Sequence, residues 1–185
     1  MKRPIAGVMI SLLLLTGCSP VTSEVAVPAT PATGDSIQYV FSQDAPPDGP
    51  LVKEINTAQK TLDVAIYSIT RKDITEAIVD VEKRGVKVRL ITDRQESENK
   101  SQSRILKTIK KAGIPIKENT HKGLMHLKVS IVDGKTVTTG SFNYTTAATV
   151  YNDEVLVIIH NLQIAGAWEG EFERMWNDNS RFENL

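Results

Sequence analysis

Cysteine is almost absent from this sequence, and several other features are missing with it. The 185 residues include one cysteine, so the chain cannot form an intramolecular disulfide. The 22 basic and 22 acidic residues cancel, so any case for a polyanionic partner must rest on a local cluster of charge. No internal repeat is present. The length and the otherwise ordinary composition are typical of one compact domain with some sequence outside it.

The first 18 residues resemble a bacterial lipoprotein signal. Lys2 and Arg3 precede an apolar run that ends at Leu15, is too short for a comfortable membrane span and leads through small residues to Cys18. The resemblance implies that residues 1–18 form a signal peptide with a lipobox, and that Cys18 becomes the lipidated first residue of the mature protein. An ordinary cleaved signal that contains a cysteine is the alternative.

We therefore expect an exported protein, periplasmic or on the cell surface, that a lipid anchor attaches to the membrane. Ser19 follows the cysteine, and in Gram-negative lipoproteins a residue other than Asp at that position usually accompanies sorting to the outer membrane. Residues 19–35 are rich in Pro, Thr, Ala and Val without a period, which predicts a poorly ordered linker. The folded domain is expected over residues 36–185.

Within this domain, β-rich apolar segments alternate with segments of helical spacing. This alternation predicts an α/β fold, a mixed β-sheet flanked by helices on both faces. The last helix carries an aromatic stripe whose spacing indicates core packing rather than a binding surface. Strands are expected at 36–42, 62–69, 86–92, 114–118, 126–132 and 154–160, and helices at 51–59, 71–84, 103–112 and 162–176.

The strand at 126–132 has two unlike faces. His126 and Lys128 share one face, because side chains alternate along a strand, and the opposite face is wholly apolar. A two-residue turn is expected next, either Asp133-Gly134 or Gly134-Lys135. The first turn puts His126 opposite Ser141. The second puts Lys128 opposite Ser141 and His126 opposite Asn143, so both turns collect these four side chains on one side of the hairpin.

This cluster suits phosphate chemistry. Lysine supplies a positive charge, and serine and asparagine supply neutral donors that can hold the non-bridging oxygens of a phosphate. Histidine can attack phosphorus or move a proton near neutral pH. We expect no metal and no cofactor, because the cluster lacks the carboxylates of a magnesium site and one histidine beside a lysine makes a poor zinc site.

The spacing of the cluster resembles the signature of the phospholipase D superfamily, known as the HKD motif. The pattern His-x-Lys-x4-Asp-x6-Gly-Ser-x-Asn starts at His126 and matches at every defined position. The runs LDVAIYSIT, GVKVRLITD and NDEVLVI are similar to the single-motif bacterial endonucleases of that superfamily. The resemblance covers residues 36–176 and implies the α/β sandwich of the family.

The resemblance also implies roles for individual residues. His126 would be the nucleophile that forms a phosphohistidine with the substrate. Lys128, Ser141 and Asn143 would bind the phosphate and stabilise the charge that develops on it. Glu154 would accept a hydrogen bond from the His126 ring and fix its tautomer.

Two other positions of the motif, Asp133 and Gly140, are expected to be structural. Asp133 lies on the turn and on the face opposite His126. We therefore expect its carboxylate to bind backbone donors of the turn or of a neighbouring segment. The backbone around Gly140 could add donors for phosphate.

A single motif leaves the reaction one group short. Double displacement needs one base to attack and one acid to protonate the leaving oxygen, and His121 and His160 lack the motif's pattern. We therefore predict a two-fold homodimer with one active site at the interface, where two copies of His126 face each other. One copy would be neutral and the other protonated, which predicts a bell-shaped pH profile that belongs to the pair.

Nucleic acid is the first choice of substrate. The segment from Lys83 to Lys128 is strongly basic, although a solvated helix face explains the lysines of the 103–112 helix equally well. Nothing indicates base readout, so we expect little sequence specificity for DNA or RNA.

Two alternatives to a nuclease are open. One is a phospholipase, which the anchor favours, but which the small size and the lack of an exposed apolar loop near the motif oppose. The other is an inactive nucleic-acid-binding or surface adaptor protein.

Overall fold

The computed structural model of the chain describes residues 34–185. The predicted signal peptide, Cys18 and residues 19–33 of the predicted linker lie outside the described residues. Within residues 34–185, no helix combines the length and the apolar character that crossing a membrane would require.

The domain is built on one mixed sheet of eight strands in the order β1-β7-β6-β5-β2-β3-β4-β8. Strands β2, β3 and β4 are parallel to one another, and all the other neighbours pair antiparallel. This confirms the predicted mixed sheet. The strands are β1 (Ser36–Phe41), β2 (Thr61–Ile66), β3 (Lys87–Thr92), β4 (Ile116–Asn119), β5 (Lys128–Val132), β6 (Thr136–Gly140), β7 (Val155–His160) and β8 (Phe182–Asn184).

Helices cover both faces of the sheet, as predicted. The helices are α1 (Asp48–Asn56), α2 (Lys72–Lys83), α3 (Arg94–Glu98), α4 (Lys100–Lys111), α5 (Thr146–Val150) and α6 (Leu162–Asn177). Helices α1, α2 and α4 bury one core against the sheet, and α6 buries a second core on the other face. The sequence pattern missed α3, α5 and β8, because elements of three to five residues are too short to show a period.

Arg89 attaches α6 to the sheet. Its guanidinium binds both carboxylate oxygens of Asp63 at 2.7 and 2.8 Å and Glu173 of α6 at 2.7 Å. It also lies 5.0 Å from the ring centroid of Phe172 and 5.3 Å from that of Trp176. The aromatic stripe of α6 therefore packs into the fold as predicted. Asp63 is buried, so loss of its partner would leave an uncompensated charge, at a cost of about 3–5 kcal/mol.

The hairpin differs from both predicted turns. Its loop has three residues, Asp133 to Lys135, and the register pairs Ser130 with Thr138. Asp133 and Gly134 have φ of 53° and 60°, so two successive residues in the left-handed region reverse the chain. Carried to the end of β6, this register puts Lys128 opposite Gly140, and so both predicted pairings with Ser141 were wrong.

Gly140 ends β6 and redirects the chain. Its φ is 133°, and a Cβ atom there would lie 2.1 Å from the carbonyl oxygen of Val155, so no other residue fits without moving the backbone. Counted by alternation from Val137, which packs on the α6 side, Phe142 falls on the other side of the sheet. Phe142 is buried on the α1–α2 side of the sheet, whereas Leu127 lies partly exposed on the α6 side.

Asp133 joins the hairpin to the α1–β2 loop. Its carboxylate accepts hydrogen bonds from the backbone N–H groups of Gln59, Lys60 and Thr61, the shortest at 2.7 Å. Burial raises the pKa of Asp133, but these hydrogen bonds and the charge of Lys135 outweigh it, and the pKa lies below its ordinary value.

We predict that Asp133→Asn lowers the free energy of unfolding by about 1–2 kcal/mol at pH 7, because the amide cannot replace a charged acceptor. A depressed carboxyl pKa stabilises the fold above the unfolded-state value of about 4, and this contribution is lost as the pH falls through the lower folded-state value. Urea denaturation at pH 7 and pH 3 would therefore show the difference from wild type shrinking in acid.

Asp44→Asn is the matched control, because the Asp44 side chain is exposed and forms no hydrogen bond within residues 34–185. A loss of stability in Asp133→Asn that is equal at both pH values would contradict the electrostatic explanation.

Candidate active site

His126 and Lys128 lie together at the end of the sheet where β5 begins. The Lys128 ammonium is 3.1 Å from Nδ1 and 3.2 Å from Nε2 of His126, and it donates to the His126 carbonyl oxygen at 3.0 Å. Lys128 is buried, whereas His126 is exposed. A substrate can therefore reach the imidazole while the fold holds the cation beside it.

Tyr67 is a neighbour that sequence reasoning did not single out. Its ring centroid lies 4.5 Å from that of His126, and the Lys128 ammonium lies 5.0 Å from the Tyr67 ring centroid. Its backbone N–H donates to the Leu127 carbonyl at 2.8 Å, which fixes this contact between the end of β2 and the start of β5. Burial, followed by the charges of Glu96 and Asp93, raises the pKa of Tyr67, so its hydroxyl stays protonated at neutral pH.

Ser141 and Asn143 lie on the loop that leaves β6. The Ser141 hydroxyl accepts a hydrogen bond from the Val155 N–H at 3.1 Å, and its backbone N–H donates to the Val155 carbonyl at 3.1 Å. The hydroxyl proton of Ser141 is therefore free to be donated to a phosphate. Asn143 Oδ1 is buried and has no hydrogen-bond partner among residues 34–185. An unpaired buried acceptor costs about 1–3 kcal/mol, so this oxygen calls for a donor that the side chains of residues 34–185 do not supply.

The loop is held from below by Tyr144. Its hydroxyl bonds to Ser130 of β5 at 2.7 Å, and its backbone bonds to Ser68 and Thr70, which follow β2. Burial raises the pKa of Tyr144 to about 12 and the hydrogen bond with Ser130 opposes this, so the hydroxyl remains neutral. The loop is thus attached to β5, which begins at Lys128, and to the segment that follows the neighbouring strand β2.

Glu154 lies at the same end of the sheet. Burial lowers the pKa of Lys128 and the negative charge of Glu154 opposes that shift, so the two groups are close enough to interact. The Glu154 carboxylate accepts a hydrogen bond from the Asn152 side chain at 3.1 Å. No hydrogen bond within the described part of the chain joins Glu154 to His126, and its bond to that ring stays a prediction.

Asp133 is remote from this group. It follows the last residue of β5, whereas His126 precedes the first, so the two are about 20 Å apart at the strand rise of roughly 3.3 Å per residue. Among residues 34–185, no group of three or more His, Cys, Asp or Glu side chains could hold a metal ion. Metal independence stays a prediction.

The basic segment contributes less to the site than its composition suggested. Several of its cations hold the fold together instead: Arg89 binds Asp63 and Glu173, Arg94 binds Glu118 and Glu183, and Lys117 binds Trp176 and Asn179. The exposed lysines of α4 lie on the face of the sheet opposite α6. No hydrogen bond within residues 34–185 joins them to His126 or Lys128.

Exposed apolar side chains do surround the site, contrary to expectation. Leu124 is 44% exposed and Leu127 is 37% exposed, on either side of His126. Val150 and Tyr151, which precede Glu154, are 58% and 80% exposed. This removes one of the two arguments against a lipid substrate.

Comparison with known proteins agrees with the sequence resemblance. The model of the family described as "Cardiolipin synthase, PLD-like domain" matches residues 51–176. The mitochondrial cardiolipin hydrolase of Chlamydomonas reinhardtii is 28% identical over 123 residues, which are 66% of this chain and 54% of that protein. The phospholipase D of Rickettsia typhi is 32% identical over 133 residues, 71% of this chain and 64% of that protein. The match therefore spans between half and two thirds of these curated relatives.

Two solved bacterial structures match this chain over almost the whole of their own length. Nuc from Salmonella typhimurium, a phospholipase D family member, has a TM-score of 0.76 and 30% identity, and the match covers 82% of this chain and 98% of that one. NucT from Helicobacter pylori has a TM-score of 0.70 and 28% identity, with 77% and 96% covered. The chain therefore belongs to the phospholipase D superfamily of phosphodiesterases, in the single-motif branch that these two structures represent.

Proposed function

We propose that this protein is an exported, metal-independent phosphodiesterase that acts as a non-specific endonuclease on DNA, RNA or both. The observation that carries the proposal is the exposed His126 imidazole beside the buried Lys128 ammonium, a nucleophile next to a phosphate-binding cation. Export rests on the predicted signal in residues 1–18 and its lipobox at Cys18.

The proposed reaction proceeds in two displacements. A neutral His126 nitrogen attacks phosphorus and the bond to the leaving oxygen breaks, which yields a phosphohistidine and, after protonation, a free hydroxyl. Water then attacks phosphorus, the P–N bond breaks and the imidazole is regenerated. Lys128 and the Ser141 hydroxyl hold the non-bridging oxygens in both steps, and Asn143 completes the cradle.

The acid for the first step is proposed to come from a second copy of His126. The face of the sheet that carries α6 favours such a dimer, because α6 covers the middle of that face and leaves the edge strand β1 uncovered. Ile37 and Tyr39 on that side of β1 are 64% and 66% exposed, and Phe41 is 45% exposed. The strip ends at Phe41, which pairs with Val155 beside Ser141 and so reaches the active-site end of the sheet. A second copy would cover this apolar surface and bring its own His126 toward the site.

A lipid hydrolase is the second candidate, and one cleft favours it. An apolar cavity of about 340 Å³ opens between α6 and the sheet, lined by Leu127, Val129, Ile131, Trp168, Phe172 and Met175 among others. Leu127 is next to His126, so an acyl chain in this cavity would lie beside the site. The curated relatives named as cardiolipin hydrolases are consistent with this candidate. An inactive binding protein on the same fold is the third, and the intact motif opposes it.

A side-by-side digestion separates these candidates. In EDTA, wild-type protein is expected to cleave plasmid DNA, and His126→Ala to lose about a thousandfold or more, because attack on phosphorus is then impossible. His160→Gln is the control, since His160 lies at the end of β7 away from the site. Gel electrophoresis and choline release from phosphatidylcholine vesicles provide the two readouts.

Each alternative has its own result in that experiment. Choline release without DNA cleavage would identify a lipid hydrolase. No cleavage of plasmid DNA, of an RNA strand, or of phosphatidylcholine and cardiolipin vesicles would identify a binding protein. DNA cleavage that requires added magnesium would refute the metal-free mechanism.

A charged side chain introduced on the exposed apolar side of β1 tests whether this surface forms the dimer. We predict that Tyr39→Glu shifts the protein from dimer to monomer and lowers nuclease activity at least tenfold, because the carboxylate would be buried in the interface. Sedimentation velocity and plasmid cleavage measure the two effects. Lys107→Glu on α4, on the opposite face, should change neither. A fully active wild-type monomer would exclude the shared active site.

A further inference from the structure

A second cleft adjoins the catalytic histidine and contains cations that the proposed mechanism does not use. It has a volume of about 340 Å³ and lies between the end of α6, the turn before β8 and the segment that leads into β5. Its wall includes His126 itself, together with His121, Arg174 and Arg181. An anion in this cleft would therefore lie next to the scissile phosphate.

Arg181 is the arginine of the cleft that residues 34–185 leave unpaired. Its side chain is exposed, and within residues 34–185 its guanidinium forms no ion pair or hydrogen bond. Arg174, by contrast, is paired with Glu171, which also lines the cleft. The hydrogen bond from Arg174, with the charges of Arg174 and Arg181, holds the pKa of Glu171 below its ordinary value. Glu171 thus largely neutralises Arg174. Arg181 adds a further positive charge to the wall of the cleft, and Asp178, which is not part of that wall, offsets part of it.

The backbone of Arg181 is held firmly, which suits a binding residue. Its N–H donates to the carbonyl and the carboxylate of Asp178, and its carbonyl accepts from Thr120 at 2.8 Å. The next residue, Phe182, begins β8 and is buried. Binding an anion therefore has to order the side chain of Arg181 but not its backbone, which lowers the entropic cost of binding.

His121 offers a second donor. Its Nδ1 lies 2.9 Å from the Lys122 carbonyl, and because a carbonyl only accepts, Nδ1 carries the proton. The ring packs edge-on against Phe182 at 5.7 Å between centroids. Nε2 is left for a ligand and becomes a donor when the ring is protonated.

We propose that this cleft is a second phosphate subsite, in which Arg181 binds the phosphate next to the scissile one on a nucleic acid strand, with support from Arg174 and His121. The inference rests on the proposed nuclease function and adds to it the selection of polymeric phosphodiesters over single ones. A guanidinium binds phosphate oxygens in a bidentate manner. The apolar wall of Leu124, Met125 and Leu127 offers a surface for the sugar or base between the two phosphates.

The test compares a substrate that has a neighbouring phosphate with one that has none. Arg181→Gln is expected to lower kcat/KM about 10- to 100-fold on a 12-nucleotide single strand, but less than threefold on bis(p-nitrophenyl) phosphate. Arg181→Lys should restore part of the loss. Arg104→Gln on α4 is the control and should leave both substrates as in wild type. Thermal unfolding confirms that each variant is folded.

A binding measurement keeps this test independent of cleavage. In a His126→Ala background, Arg181→Gln should reduce the slope of log Kd against log salt for a labelled 12-nucleotide strand by about 0.7–1, the value for one lost phosphate contact. An unchanged slope would overturn the subsite even if the protein is a nuclease. A reduced slope in a protein that cleaves no nucleic acid would keep the contact and refute the nuclease function.

Three other results would also overturn the proposal. Equal losses on both substrates would show that Arg181 acts through His126 or through the fold. No loss on either would show that the cleft is not used. Cardiolipin, a lipid with two phosphates, is assayed in vesicles alongside, and a loss confined to its hydrolysis would assign the cleft to a lipid instead.

Discussion

The close approach of Gly140 to the carbonyl oxygen of Val155 is the contact on which the site depends. At 2.1 Å from a would-be Cβ atom, this carbonyl leaves room for hydrogen alone. The chain can therefore leave β6 while still paired with β7, and Ser141 exchanges two further hydrogen bonds with Val155. The loop that contains Ser141 and Asn143 is thereby joined to the start of β7, next to Glu154. Tyr144 attaches this loop to β5 and to the segment that follows β2.

The polar residues of the motif lie at the two ends of β5. The proposed catalytic pair, His126 and Lys128, lies at one end, and Asp133 at the other end binds three backbone N–H groups of the α1–β2 loop. The spacing from His126 to Asp133 in the motif is thus set by the length of one strand. Arg89 has a comparable structural task on the α6 face, where it joins Asp63 of β2 to Glu173 and two aromatic rings.

The charges around the site have a different origin from the one that composition suggested. The basic segment before the motif uses several of its cations within the fold, whereas the C-terminal segment, acidic by composition, brings Arg174 and Arg181 to the wall beside His126. The apolar surroundings of the site also differ from what the sequence predicted. Leu124 and Leu127 are exposed next to His126, and the open face of β1 continues the apolar surface. Cations and exposed apolar side chains therefore both lie next to His126.

Local pattern was sufficient for the fold class and for the pairing of His126 with Lys128, because side-chain alternation and helical spacing depend only on nearby residues. It was not sufficient for the turn. Asp133-Gly134 and Gly134-Lys135 satisfied the same pattern, and the three-residue turn became evident only from the register with β6. The same one-residue difference in register puts Phe142 on the α1–α2 side of the sheet and Leu127 on the α6 side, although both predicted turns would put the two side chains on one side. Tyr67, Arg174 and Arg181 are distant in sequence from His126, and long-range packing alone brings them to it.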